Sequence, residues 1–180
     1  MILIGIGGNL PSETYGPPRA TCGAALALLE DHGTRIIKRS RWFESAPVPA
    51  SDQPWYVNGV VAVDCALDPV ELIAKILRVE ADLGRERGTL NAARIVDLDL
   101  LAYDDTVLNG NDREEATVPH PRMTERAFVL LPMQDVAPGW RHPSTGQGID
   151  ELIAQLPEDQ ACRPMEDAGG AYGTEYQEAT

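Results

Sequence analysis

The order in which apolar strands and amphipathic helices follow one another restricts the fold of this chain most strongly. Apolar runs alternate with two segments of helical periodicity that start near proline and stop at glycine. The predicted order, β-α-β-β-α-β, is the split βαβ or ferredoxin-like arrangement, in which helices cover one sheet. We therefore predict an α+β fold with a ferredoxin-like βαββαβ core, α/β/α layers and additional C-terminal helical and strand elements. Strands are predicted at residues 2–7, 35–44, 56–66 and 95–103, and helices at 16–33 and 68–84.

The chain beyond the fourth strand carries weaker signals. A helical pattern at residues 124–136 contains Pro132, which predicts a break, and a short final helix is predicted at 149–156. After that helix the apolar periodicity is lost, and the remaining residues hold six acids and one arginine. We therefore predict one domain at residues 1–157 and a disordered acidic tail at 158–180.

Composition argues against several classes of function. The chain has 28 acidic and 15 basic residues, a formal net charge of −13, so it would repel nucleic acid and anionic membranes. No apolar run is long enough to cross a membrane, the opening residues lack a signal-peptide pattern, and the three cysteines lie far apart. We therefore expect a cytoplasmic protein without nucleic-acid or membrane partners. A monomer is expected, because no exposed apolar stripe is evident.

Two aspartates on one predicted strand are the strongest chemical signal. Side chains alternate faces in a strand, so Asp97 and Asp99 share one face while the leucines beside them enter the core. The two carboxylates stand about 6.5–7 Å apart and need a cation, a shared proton or arginine partners. They suit Mg²⁺ that is also bound by substrate phosphates, and Arg94 adds a phosphate-type base. Ordinary surface acids at a strand edge are the alternative.

Two further clusters contain groups that bind phosphate or a flat ring. The phosphate-donor cluster comprises Thr117, His120, Arg122 and Arg126, preceded in the chain by the loop residues Arg85 and Arg87. Exposed charges on a turn and a loop are the alternative for this cluster. Tyr56 and Asn58 share one face of a strand, so the ring can stack on a heterocycle whose edge the amide reads. A core tyrosine and a strand-start asparagine are the alternative there.

Several segments of the chain match one family pattern in order. They are residues 4–10, 44–48, 52–54, 56–58, 92–101, 118–123 and 126–130, with Glu80, Gly84 and Arg85 between them. The specific part is the R-x-x-D-L-D core formed by Arg94, Asp97 and Asp99. Over residues 1–156 the chain thus resembles the 6-hydroxymethyl-7,8-dihydropterin pyrophosphokinase family of folate biosynthesis.

The resemblance implies transfer of the β,γ-pyrophosphoryl group of ATP to the hydroxymethyl oxygen of the pterin, with release of AMP. It implies that Asp97 and Asp99 hold two Mg²⁺ ions that bridge the triphosphate. The implied catalytic residues are Arg85, Arg87, Arg94, Asp97 and Asp99. The implied ATP contacts are Glu80, Arg94, Thr117, His120, Arg122 and Arg126. The implied pterin contacts are Ser45, Ala46, Val48, Tyr56, Asn58 and Phe128, with the two aromatic rings on either side of the pterin.

Two other functions stay open on the sequence. A metal-dependent nucleotidyltransferase or phosphohydrolase would use the same aspartate pair and would not need the pterin pocket. A non-catalytic ferredoxin-like binding module would have no use for two carboxylates on one strand face. The loop at residues 85–93 departs from the family pattern at Leu90 and Asn91, where many members have a basic residue and a tryptophan.

Overall fold

A computed structural model describes residues 1–84, 93–110 and 117–166. Within these residues the chain forms six strands and four α-helices. The strands are β1 Ile2–Gly8, β2 Arg35–Arg39, β3 Phe43–Ser45, β4 Tyr56–Asp64, β5 Asp97–Tyr103 and β6 Cys162–Pro164. The helices are α1 Pro18–Asp31, α2 Pro69–Asp82, α3 Ala127–Val136 and α4 Ile149–Ile153, and a 3-10 turn at Met123–Glu125 precedes α3.

The strands form one antiparallel sheet in the order β5-β1-β4-β3-β6, and β2 also pairs with β4. β1 therefore lies between the last strand of the βαββαβ unit and the strand that precedes α2. This is the ferredoxin-like order, and the predicted fold class is confirmed. Helices α1 and α2 pack on one face of the sheet, while α3 and α4 pack on the other.

The ends of the first two helices follow the signals in their sequences. The Asp68 carboxylate accepts from Glu71 N at 2.9 Å, and the Glu71 carboxylate accepts from Asp68 N at 3.0 Å, which completes the predicted capping box of α2. Gly33 and Gly84, each with φ 82°, end α1 and α2 in the left-handed conformation. No helix within the described ranges combines the length and apolar character that crossing a membrane requires.

Side chains alternate between the two faces of β1, and this alternation determines where the apolar layer under α3 and α4 ends. On one face its three isoleucines join α1 and α2 in a buried apolar layer. On the other face Leu3 joins the layer under α3 and α4, but the next two positions on that face are Gly5 and Gly7. The second layer therefore ends after Leu3, and β1 contributes no side chain to that face beyond it.

The strand predicted at residues 35–44 is interrupted in the middle. Ser40 still pairs with Val60, because its N–H donates to Val60 O and its hydroxyl accepts from Val60 N, each at 2.9 Å. The next N–H, that of Arg41, donates to the Asp135 carboxylate at 3.1 Å. Side-chain acceptors thus replace part of the backbone hydrogen bonding between strands. The predicted strand is therefore divided into β2 and β3.

The break predicted at Pro132 is wrong, because α3 continues through this residue. A proline removes the hydrogen bond that its own nitrogen would donate to the carbonyl four residues earlier, and its ring crowds that carbonyl. Leu130 and Met133, on either side of it, are fully buried against the sheet. Tertiary packing of this apolar face outweighs the missing bond.

The domain boundary predicted after residue 157 needs a correction. β6 lies beyond it and pairs with β3, and Met165 N donates to Trp42 O at 3.0 Å. A three-residue strand shows almost no two-residue periodicity, so its pairing depends on the open edge of β3. Residues 158–166 therefore belong to the folded domain, while residues 167–180 lie outside the described part of the chain.

Candidate active site

A cavity of about 300 Å³ opens over the sheet where the second apolar layer ends. Its floor is formed by β1 and β4, and its walls by β5, the start of α3 and the loop that joins β3 to β4. Most of the predicted site residues come together here. They are Ser45, Ala46, Val48, Tyr56, Asn58, Arg94, Asp97, Asp99, His120, Arg122, Arg126 and Phe128.

Glycines keep the floor of the cavity flat. A Cβ atom added at Gly7 would stand 3.0 Å from Asn58 Oδ1, and one added at Gly5 would stand 3.3 Å from Leu101 Cδ1. Strand pairing places Gly7 between Asn58 of β4 and Asp97 of β5. The side chains of these two residues thus stand on either side of an open strip, on which a ligand can lie directly against the backbone.

Both aspartates of β5 face the cavity, as their alternation with buried leucines predicted. Arg94 Nη1 forms an ion pair with Asp97 Oδ2 at 2.5 Å, and the two side chains are only 23% and 25% exposed. Behind the strand, the buried Glu80 carboxylate of α2 accepts from Leu98 N at 2.7 Å. The backbone between the two aspartates is therefore anchored from the side opposite the cavity.

The Asn58 side chain is held in one orientation. Its Nδ2 donates to Ser45 Oγ at 2.9 Å, and both residues are buried. Because the nitrogen is used in this way, the carbonyl oxygen is the atom that lies above Gly7. The cavity floor therefore carries a fixed hydrogen-bond acceptor that can read a donor edge of a heterocycle.

Asn9 joins the two ends of the cavity and is not among the predicted site residues. Its side chain is 2% exposed and its Oδ1 accepts from Arg94 N at 2.9 Å. Its Nδ2 donates to Gln53 Oε1 at 3.2 Å and to Pro54 O at 3.1 Å. Gln53 Oε1 also accepts from the Tyr56 hydroxyl at 3.0 Å. One buried amide thus links the arginine beside the acidic strand to the loop and the aromatic ring.

The phenol and the imidazole of the cavity are both in their neutral forms at neutral pH. Burial raises the pKa of Tyr56, so its hydroxyl stays protonated. Burial and the charge of Arg126 lower the pKa of His120 to about 4. His120 Nδ1 accepts from Arg122 N at 3.2 Å, so the ring carries its proton on Nε2. His120 is thus an uncharged donor beside charged arginines.

Arg126 connects the basic and the aromatic parts of the cavity. Burial and the neighbouring Arg122 lower the pKa of its guanidinium, while the charges of Asp99 and Asp97 oppose this change. Its guanidinium carbon lies 5.5 Å from the centroid of the Phe128 ring, a cation–π distance. The aspartates therefore favour the charged form of an arginine that stands between them and the aromatic wall.

Two predicted site residues lie elsewhere, and two more fall outside the described part of the chain. Glu80 and Thr117 are described by the structure but do not line the cavity. Glu80 instead holds the backbone of β5, as given above. Arg85 and Arg87 lie outside the described residues.

Several residues that line the cavity were not predicted. For two of them, Gly5 and Gly7, the sequence did contain a signal. Gly5 and Gly7 alternate with isoleucines, and this two-residue period marks a strand face without side chains. The loop residues belong to the proline-rich segment before β4, whose length suggests a functional loop, but only the folded chain shows which of them face the cavity. They are Pro47, Pro49, Ser51 and Gln53.

The carboxylates of the cavity fit a metal ion that takes most of its ligands from water and substrate phosphates. Among the residues that the structure describes, no group of three or more His, Cys, Asp or Glu side chains is placed to hold a metal ion. The cavity instead presents the pair Asp97 and Asp99. Two carboxylates complete an octahedral Mg²⁺ site only together with water and substrate phosphates. A closed structural zinc site needs four protein ligands, and none is formed within residues 1–84, 93–110 and 117–166.

Comparison with known structures supports the fold. The crystal structure of Plasmodium falciparum HPPK-DHPS with pteroate superposes with a TM-score of 0.67 at 14% sequence identity. The superposition covers 86% of this chain and 44% of that chain, so this chain spans less than half of the protein it matches there. At this identity the likeness concerns the fold alone.

Comparison of sequences identifies the family. The profile of 7,8-dihydro-6-hydroxymethylpterin-pyrophosphokinase (HPPK) matches residues 3–138. A Synechocystis protein named 2-amino-4-hydroxy-6-hydroxymethyldihydropteridine pyrophosphokinase is 36% identical over 155 residues, covering 86% of this chain and 75% of that protein. A Pseudomonas aeruginosa protein of the same name is 36% identical over 157 residues, covering 87% of this chain and 91% of that protein. The chain therefore belongs to the 7,8-dihydro-6-hydroxymethylpterin-pyrophosphokinase family.

Proposed function

We propose that this chain transfers the β,γ-pyrophosphoryl group of ATP to the hydroxymethyl oxygen of 6-hydroxymethyl-7,8-dihydropterin and releases AMP. The family and the names of its members support pyrophosphoryl transfer in folate synthesis. The observation that carries the finer proposal is the row formed by Asp97, Gly7 and Asn58 on three adjacent strands, all of which line one cavity. An acidic end and a ring-reading end thus face each other across an open strip.

The phosphate end of the cavity is formed by β5 and by the segment before α3. Arg94, Arg122 and Arg126 line it beside the neutral His120. Guanidinium groups bind phosphate oxygens in a bidentate manner, and His120 adds a neutral Nε2–H donor. We assign the triphosphate of ATP to this end.

Asp97 and Asp99 would hold two Mg²⁺ ions at the same end. The fit follows from the donor set, since both carboxylates face the cavity and Asp97 already neutralises a cation, Arg94. Bound Mg²⁺ would neutralise the phosphate oxygens on which charge accumulates during transfer. The carboxylates and the arginines would together fix the chain of phosphates in one orientation.

The pterin end of the cavity is formed by β3, β4 and the start of α3. Asn58 Oδ1 offers an acceptor to the amino edge of the ring, and Tyr56 and Phe128 supply aromatic surfaces. Ser45, Ala46 and Val48 complete this wall. We assign the pterin to this end, with its hydroxymethyl group directed toward β5.

In this reaction the protein positions the two substrates and neutralises the charge on the phosphates. It forms no covalent intermediate with them. The hydroxymethyl oxygen forms a bond to the β-phosphorus of ATP, and the bond from that phosphorus to the α,β-bridging oxygen breaks. AMP leaves with the bonding electrons, and the hydroxyl proton passes to solvent. The arginines and His120 donate to phosphate oxygens throughout, and the loop that Asn9 anchors covers the cavity against water.

The direct test is to incubate the protein with ATP, Mg²⁺ and the hydroxymethyl dihydropterin and to separate the nucleotides by chromatography. AMP that forms only when the pterin is present would support the proposal. ADP in place of AMP would indicate an ordinary kinase. Nucleotide cleavage without pterin would indicate a phosphohydrolase or nucleotidyltransferase, and binding without any product would indicate a binding module.

A further inference from the structure

The C-terminal strap, residues 160–165, runs along the edge of β3. Ser45 pairs with Cys162, and Ala46 N donates to Ala161 O at 3.0 Å. Ser45 and Ala46 both line the cavity. The strap therefore holds the backbone of the cavity wall that β3 and the following loop provide.

Gln160, the first residue of the strap, contacts the opposite wall. Its Oε1 accepts from Ala127 N at 2.9 Å, and its Nε2 donates to Glu125 O at 2.7 Å. An amide nitrogen only donates and an amide oxygen only accepts, so the two partners together fix the orientation of the side chain. Gln160 thus binds the turn that leads into α3 through two hydrogen bonds.

The start of α3 depends on this contact. In the described part of the chain the N-cap residue, Arg126, makes no side-chain capping hydrogen bond. The first N–H groups of a helix have no partner within the helix. Gln160, 33 residues away, supplies the acceptor for the first of them, Ala127 N. The residues on either side of Ala127 are Arg126 and Phe128, which both line the cavity.

Two cavity walls are therefore joined through consecutive residues of one short segment. The Gln160 side chain holds the start of α3, and the carbonyl of the next residue, Ala161, holds Ala46. Helix α3 also contacts both β3 and β6. A change at Gln160 would let the α3 wall move relative to the β3 wall without removing any residue that lines the cavity.

We propose that Gln160 is a positioning residue that sets the separation between Phe128 and the Ser45–Ala46 wall, and thereby the affinity for the pterin ring. The inference rests on the proposed function, because it takes the pterin to be the ligand between these walls. The strap lies beyond residues 3–138, so the family match does not assign it a role.

The test compares Gln160→Ala with the control Glu158→Ala, an exposed position just before the strap. Affinities for 6-hydroxymethyl-7,8-dihydropterin and for a non-hydrolysable ATP analogue with Mg²⁺ are measured separately by calorimetry. Gln160→Ala is expected to weaken pterin binding roughly fivefold, the equivalent of one hydrogen bond, and to leave binding of the ATP analogue within about twofold. Equal losses for both ligands, or a lowered melting temperature with unchanged pterin affinity, would overturn the proposal.

A second variant separates the two contacts of the amide. Gln160→Glu keeps an acceptor for Ala127 N but replaces the donor to Glu125 O, at 2.7 Å, by a second acceptor that must turn away from this carbonyl. Pterin affinity should therefore fall less than in the alanine variant. A loss as large as that of the alanine variant would contradict the role of the Ala127 contact.

Hydrogen exchange of the ligand-free protein keeps this proposal distinct from the proposed function. Gln160→Ala should speed amide exchange at the start of α3, and unchanged exchange there would overturn the positioning role. Failure of the wild type to bind pterin would instead contradict the proposed function, whatever the exchange shows.

Discussion

Asn58 and Asp97 stand on opposite sides of Gly7, on the two strands that flank β1. Neighbouring strands are about 4.8 Å apart, so the two residues are separated by roughly 10 Å across the sheet. The amide oxygen of Asn58 lies above Gly7, and the carboxylate of Asp97 is paired with Arg94. A heterocycle read by Asn58 can therefore extend its substituent toward the acidic strand, in the direction that the proposed transfer needs.

The open strip at Gly7 can be closed by one methyl group. A Cβ atom there would stand 3.0 Å from Asn58 Oδ1, so Gly7→Ala should displace the acceptor and occupy the cavity floor. We expect the free energy of pterin binding to become less favourable by about 1–3 kcal/mol, a penalty of the size that overpacking usually causes. Gly139→Ala is the control, because nothing lies within 4 Å of a Cβ atom at that position. Equal pterin affinities for the two variants in calorimetry would contradict the assignment of the floor.

The aromatic ring of Tyr56 should matter for the pterin and not for ATP. Tyr56→Ala removes a stacking surface, and loss of one stacked aromatic typically weakens binding by about 1–3 kcal/mol. Tyr56→Phe retains the ring and loses only the hydroxyl bond to Gln53, so it should bind pterin nearly as well as the wild type. Fluorescence titration with each ligand separately checks this, and equal losses of pterin and ATP affinity in the alanine variant would count against the sandwich.

Asn9 should contribute to both stability and turnover, because one side chain connects Arg94 with the loop at Gln53 and Pro54. Asn9→Ala removes three hydrogen bonds, so we expect about 2–4 kcal/mol of lost stability in urea unfolding. Turnover should fall further than the unfolded fraction explains, since both ends of the cavity lose their common anchor. Asn109→Ala, at an exposed position, serves as the control. Unchanged stability of Asn9→Ala would contradict the anchoring role.

His120 should make the ligand-free protein less stable in mild acid. Its pKa is lowered to about 4 in the folded chain, against a model-peptide value of 6.5. Between these values the unfolded chain binds a proton that the folded chain does not, so stability falls as the pH decreases from 6.5 to about 4. His120→Gln should remove about 1–3 kcal/mol of this pH dependence, which urea unfolding at several pH values measures. An identical pH profile for the variant and the wild type would show that His120 is not held neutral.

The acidic strand and the fold order were predictable because their causes are local. Asp97 and Asp99 alternate with leucines, so strand geometry alone places them together on the cavity face. The capping box at Asp68 and Glu71 likewise lies within one helical turn. Each of these features needs only neighbouring residues to be recognised.

Other features depend on contacts between distant parts of the chain. Asn9 is buried by partners 44 and 85 residues away, so its position in the sequence does not reveal its role. β6 pairs with an edge that β3 leaves open, although its own three residues carry no strand pattern. Glu80 was expected to contact ATP, but the structure uses it to hold Leu98 N. The alternation of Gly5 and Gly7 with isoleucines is visible in the sequence, but only the folded sheet shows that these glycines form the cavity floor.

The most direct test of the account follows the products of turnover by ³¹P NMR for the wild type and for Asp97→Asn, Asp99→Asn and Asp105→Asn. Asp105 is exposed beyond the end of β5 and serves as the control. The account predicts equal amounts of AMP and pterin diphosphate for the wild type and the control. It predicts rates lower by a factor of about 100–1,000 for the two cavity variants, with the fold retained although Asp97→Asn loses the ion pair to Arg94. Wild-type rates in Asp97→Asn or Asp99→Asn would contradict the account.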